Sequence, residues 1–125
     1  MATIRTRLKA ALVGLALAGA PVAASAHHGW SWTTGQNIDL TGVIMEARLG
    51  NPHGVLEVDV EGETWTVEVG QPWRNDRAGL KQGDLAEGVE VRVIGEPSSD
   101  VSARRVKAER IYLDGQEYPL YPERD

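Results

Sequence analysis

The chain reads as mainly β: a small five-stranded OB-like Greek-key barrel with one short helix between strands 3 and 4. Three observations predict this. Apolar and polar side chains alternate with a period of two through most of the chain after residue 37. Only the stretch 72–80 switches to helical spacing. The resulting order, three strands, a helix and two more strands, is that of a closed five-stranded Greek key. Dominant period-two alternation excludes a helix bundle; an open sandwich of similar size shares the same pattern.

Each element has a local reason. In 38–48, Ile38, Leu40 and Ile44 fall on one face, with Asp39, Thr41 and Glu46 on the other. Gly42 sits mid-run, where a bulge or sharp bend is expected, so strand 1 should curve. Gly50-Asn51-Pro52-His53-Gly54 is a turn by composition. Leu56, Val58 and Val60 alternate with Glu57, Asp59 and Glu61 as strand 2. After Gly62, Trp65, Val67 and Val69 alternate with Thr64, Thr66 and Glu68, completing a hairpin. Pro72 fits a helix start, and Trp73, Arg77 and Leu80 fall at helical spacing. Val89, Val91 and Val93 alternate with Glu90, Arg92 and Glu96 as strand 4, closed by Gly95 and Pro97. Residues 103–113, carrying Val106, Ala108, Ile111 and Tyr112, form strand 5. The tail 114–125 contains Pro119 and Pro122, which restrict it to an edge or a docked segment.

Ahead of the barrel, residues 1–26 have the layout of a cleaved Sec-type signal peptide. Arg5, Arg7 and Lys9 make a positive n-region, Ala10 to Ala20 an apolar run, and Ala24-Ser25-Ala26 a small-residue cleavage site. The apolar run is too short to span a bilayer stably, so no membrane span is expected after cleavage. Residues 27–125 would form one domain, with 27–37 as an extended lead-in that Trp30 and Trp32 pin to the barrel. Cleavage removes three of the thirteen basic residues and none of the eighteen acidic ones, taking the formal charge from −5 to −8. So negative a surface argues against nucleic acid and anionic lipid as partners and favours cations or basic surfaces. The Arg104-Arg105-x-Lys107 cluster is too short to reverse this. Cysteine is absent, which removes disulfides, thiolate ligands and thiolate nucleophiles.

Several motifs occur in a fixed order: His27-His28 after the leader, Asn51-Pro52-His53, Trp65-x-Val67-Glu68 and Arg77-x-Gly79-Leu80. Gly88-x-x-Val91-x-Val93-x-Gly95-x-Pro97 and a Tyr-Pro tail follow. Together they resemble a domain-of-unknown-function family of small exported bacterial proteins, over essentially all of residues 27–125. The resemblance implies a periplasmic location and a small β-barrel. It brings no activity, substrate or cofactor with it.

The chemistry therefore rests on the residues. All three histidines, His27, His28 and His53, lie near the start of the mature chain. Cleavage after Ala26 would give His27 a free α-amine whose pKa is low enough for metal binding near neutral pH. Amine and imidazole on one residue chelate a transition metal, and His53 or His28 would complete an all-nitrogen set suited to Cu(II). The functional reading is thus a periplasmic copper carrier or buffer. The structural reading makes the His pair a solvated terminus and has His53 bonding the backbone of its own turn.

A different class of function is an interaction or small-ligand module without metal, using a surface formed by Trp30, Trp32 and Trp73 and a periplasmic protein as partner. Other groupings have plain structural readings beside them. Glu57, Asp59 and Glu61 suit a hard cation or a solvated strand face. Glu68, Arg74, Asp76 and Arg77 suit a groove or ordinary surface ion pairs. Trp65 and Trp73 suit core packing in a chain without Phe. No Ser-His-Asp order, phosphate loop or carboxylate pair emerges, so no catalytic residue is assigned.

Overall fold

The computed structural model describes residues 29–124. Its strands are β1 (Ile38–Arg48), β2 (Val55–Val60), β3 (Glu63–Glu68), β4 (Glu90–Pro97), β5 (Arg105–Leu113) and β6 (Gln116–Pro119). One helix, α1 (Pro72–Ala78), lies between β3 and β4. The sheet order is β3-β2-β1-β4-β5-β6, and a further β3–β5 pairing closes the first five strands into a barrel. That is the expected OB-like order. The sixth strand is the tail segment, paired antiparallel to the end of β5 as an edge.

Closure depends on β1 serving two neighbours. Residues 38–43 pair with β4 and residues 43–48 with β2. The strand must turn sharply between these halves, and two features share the work. At Gly42 a Cβ would collide with the backbone of Asp59 and the side chain of Val58, so only glycine lets β2 come so close. Of the two alternatives the sequence offers at Gly42, a bulge or a sharp bend, the bulge falls instead at Met45, between Ile44 and Glu46. The extra residue shifts the alternation, so Ile44 faces in above the bulge and Ala47 below it.

Inward positions fill the barrel with β-branched and leucine side chains, and Ile44, Leu56, Val58, Val67, Val91, Val93 and Ile111 are all essentially inaccessible. Leu80, Leu85 and Leu120 join this core from outside the strands of the barrel. The helix is seated differently from the sequence expectation. Trp73 is 52% exposed and is not core. Asn75 takes the buried place and bridges the end of β3: its Oδ1 accepts from the Gly70 N–H at 2.9 Å, and its Nδ2 donates to the Gly70 carbonyl at 3.0 Å. Gly79, at φ 101°, ends the helix in the left-handed region, one residue before the buried Leu80. Among the described residues, no helix is long and apolar enough to cross a membrane.

Candidate functional site

Alternation places Glu68, Glu96, Lys107 and Glu109 on or near the outer surface of the barrel, where charge is normally solvated. Glu68 and Glu96 are instead buried, so the surface-ion-pair reading of Glu68 does not hold. They are 3% exposed, Glu109 is 1% and Lys107 8%. The cause is a cover made by the two ends of the described chain, residues 29–37 and 120–124. Thr33 bridges to Ser98 beside β4, and the Ser99 N–H donates to the Trp32 carbonyl at 2.9 Å. From the other end, the N–H groups of Leu120 and Tyr121 both donate to the Glu109 carbonyl.

Under this cover each carboxylate meets a basic side chain, and Arg124 serves two of them. Arg124 donates to Glu96 at 2.5 Å and to Glu109 at 3.4 Å. Thr33 Oγ1 donates to Glu96 at 2.9 Å, and Asn37 Nδ2 to Glu109 at 2.8 Å. Burial pushes the Glu96 carboxyl up, but Arg124, Thr33 and the Gly35 N–H outweigh it and hold the group below its ordinary value. Arg105 binds one oxygen of Glu68. His53 Nε2 lies 2.8 Å from the other.

The three predicted tryptophans lie along this same line of cations. Trp32 carries the Arg105 guanidinium 3.9 Å from its ring centre. Trp30 sits between Arg124 at 3.8 Å and the Lys107 ammonium at 4.9 Å, and meets Tyr121 edge-on at 5.0 Å. Arg74 lies 4.1 Å above Tyr121 and 4.6 Å from Trp73. Trp30 and Trp32 thus pin the lead-in by cation–π contact, while Trp73 stays half open to solvent. Lys107, in register with Glu68 across the β3–β5 seam, finds no hydrogen-bond acceptor among the described residues. Burial lowers its pKa; Glu68 counters this, and Arg74, Arg105 and Arg124 reinforce it.

His53 is placed by its loop. Gly54 donates to the Gly70 carbonyl and accepts from the Val69 N–H, pinning the turn beside the end of β3. The partner of His53 is the Glu68 carboxylate, not the loop backbone expected in the structural reading, and its side chain remains 36% exposed. His27 and His28 lie outside the described residues. The chain enters beside Lys107: a Cβ on Gly29 would stand 3.8 Å from the ammonium. Among the described residues, no group of three or more His, Asp or Glu side chains is arranged to hold a metal.

The remaining groupings resolve into structural roles or lose their expected partners. Glu57 accepts from Thr66 and meets Arg48, and Asp59 accepts the Gly62 N–H at the β2–β3 turn. Arg74 and Arg77 make none of the ion pairs expected of them. Lys107, Glu109 and Arg124 belong to the site without having been expected there. A signal for two of them is present, since Lys107 and Glu109 alternate with the apolar Val106 and Ala108 on a strand whose neighbours fold over it.

Fold and site together define a class: a small closed β-barrel of OB-like strand order whose two ends clamp a buried layer of ion pairs and aromatic rings. Within that class, the chain belongs to a family of unknown function, DUF6152, whose profile matches residues 15–107. No functionally curated protein matches it. Among solved structures, TiaS in complex with an isoleucine tRNA, AMPCPP and agmatine is similar over 62% of this chain and 18% of that one, with 19% identity and a TM-score of 0.48. The complex of TiaS with the same tRNA and ATP matches over the same shares, at 16% identity and 0.48. ZRD-deleted TiaS with agmatine matches over 69% of this chain and 27% of that one, at 18% identity and 0.49. The chain therefore spans under a third of the length of each of these proteins.

Proposed function

We propose that the protein is an exported, periplasmic metal-binding module, a copper carrier or buffer that uses His27, His28 and His53. The observation that carries the reading is the grip of Glu68 on His53. A neutral imidazole whose Nε2–H is given to a carboxylate keeps its free lone pair on Nδ1, and metal-binding histidines are commonly oriented in this way. Glu68 is itself fixed by Arg105, so the ring is held before any metal arrives. Gly29, the first described residue, lies against Lys107, the register partner of Glu68.

Arg105 and Lys107 oppose a second cation at this place. They limit affinity, which suits a module that must release its metal as well as take it. The test is a Cu(II) titration of the processed protein, with its terminus confirmed by intact mass and the ligands read by electron paramagnetic resonance. His53→Ala, and a form with one residue ahead of His27, should each weaken binding or change an all-nitrogen signal. Equal affinity and an unchanged spectrum in both would overturn the reading.

The half-exposed Trp73 favours a second reading, a metal-free interaction or small-ligand module in which Trp30 and Trp32 order the face and Trp73 meets the partner. It expects the partner to be retained in chelator and lost in Trp73→Ala with the fold unchanged. Retention by Trp73→Ala would refute it.

A further inference from the structure

The described residues include eight arginines, and six of them meet a carboxylate: Arg48, Arg92, Arg104, Arg105, Arg110 and Arg124. The two that do not, Arg74 and Arg77, lie one helical turn apart on α1 and line the same cleft. In a chain with an excess of acidic residues, unmatched guanidiniums are the exception, and these two are neighbours. The cleft has a volume of about 200 Å³ and runs between the helix and the C-terminal tail, with Ala78, Pro119, Leu120 and Pro122 as its apolar walls.

Arg74 is fixed and incompletely satisfied. Its Nη1 donates to the Leu120 carbonyl at 3.0 Å, and its guanidinium is held by the rings of Tyr121 and Trp73. Its Nε is buried with no acceptor, the one such side-chain atom among the described residues. That Nε is closed to solvent as well, so an incoming acceptor would meet the guanidinium through Nη2, which makes no hydrogen bond within the described residues. Arginine presents paired donors in the geometry a carboxylate accepts. Proline and leucine walls provide for an apolar body, and the small volume restricts the ligand to roughly the size of one ring. Glu123 also lines the cleft without pairing to either arginine, so it opposes an anion there.

We infer that this cleft binds a small organic monocarboxylate: the carboxylate meets Arg74 and Arg77, and the apolar body lies against Pro119 and Pro122. The inference is independent of any metal at the histidines. The experiment is an amide NMR titration of the processed protein with sodium benzoate, with benzamide and inorganic phosphate as comparison probes. Saturable shifts are expected in residues 73–79 and 119–123, with benzamide silent and phosphate weaker. Arg77→Gln, which removes no contact seen within the described residues, should weaken benzoate about tenfold or more, on the scale of losing a charged hydrogen bond. Glu123→Gln should tighten it. Arg74→Gln should abolish it, although that variant also releases the Leu120 carbonyl, so Arg77 is the deciding position. Benzoate shifts matched by benzamide, equal binding of phosphate, or benzoate affinity unmoved by Arg77→Gln would each overturn the proposal.

Discussion

Replacing Arg124 by methionine keeps the length of the side chain and removes its charge. Two carboxylates exposed by only 3% and 1%, Glu96 and Glu109, then lose their cation. Breaking a buried pair by removing one partner generally costs about 3–5 kcal/mol. Two features lower that figure. The Arg124 side chain is 36% exposed, and each acid keeps one neutral donor, Thr33 for Glu96 and Asn37 for Glu109. The expected loss is about 2–3 kcal/mol, or roughly 10–20 °C in melting temperature for a domain of this size. Urea unfolding at pH 7 measures it, with the slope unchanged because the barrel still buries the same surface.

The pH dependence sharpens the test. In the wild type, the Glu96 carboxyl lies below its ordinary value because Arg124, Thr33 and Gly35 outweigh burial. Its contribution is therefore present above the unfolded pKa and lost as pH falls through the folded one. Without Arg124, burial becomes the larger influence and the folded state favours the neutral acid. The deficit of the variant should shrink on acidification from pH 7 towards about pH 3. A loss at pH 7 within the ordinary surface-mutation range of about 0.5 kcal/mol, or a deficit that grows in acid, would refute the reasoning.

Asn75→Ala should cost about 2 kcal/mol in urea unfolding, because the Gly70 N–H loses its acceptor inside the fold and the Gly70 carbonyl keeps only the Gly54 N–H; an unchanged midpoint would show that water replaces the amide. Gly95→Ala should sharply lower the melting temperature, since a Cβ there would collide with the Lys107 carbonyl and crowd the Ala108 backbone; a wild-type melt would show that β4 and β5 can separate freely. Lys107→Met should stabilise the protein at pH 7. The folded amine titrates below the usual 10.5, so the unfolded chain binds more protons between the two values and wild-type stability rises with pH there. The advantage of the variant should narrow towards pH 10, and a constant difference would assign its effect to packing.

The barrel is legible in the sequence because its signal is local. Leu56-Glu57-Val58 and Val91-Arg92-Val93 state inside and outside residue by residue, and the run after Pro72 interrupts that pattern once. The bulge lies at Met45 and not at Gly42 because the two residues answer different demands, a change of register and close approach of β2, and only the pairing partner separates them. The site is legible in its parts and not in its assembly. Trp30, Trp32, Trp73 and His53 stand out by residue type. The charges around them do not, because Glu68, Glu96 and Glu109 become buried only when segments distant in sequence fold over them. Period-two alternation describes one sheet face against solvent and carries no information about a cover supplied by the chain's own ends. Trp73 departs from the core role for a related reason. Asn75, a polar residue, takes the inward place on α1 because Gly70 offers both a donor and an acceptor there.

The β3–β5 seam consists of three register pairs, Thr66 with Arg105, Val67 with Val106 and Glu68 with Lys107. The paired residues are far apart along the chain, so the loop-closure entropy of bringing them together falls mainly on these few contacts. Long-range pairings of this kind are also the ones that slow folding. The Glu68–Arg105 pair spans this seam, and His53 is bound to Glu68. A polypeptide still lacking β5 can therefore hold its β1–β3 meander but not this arrangement of charges. Formation of the histidine's surroundings and completion of the cylinder become one event. While the chain is being made, the residues that could engage a ligand stay unassembled until the last strand of the barrel arrives.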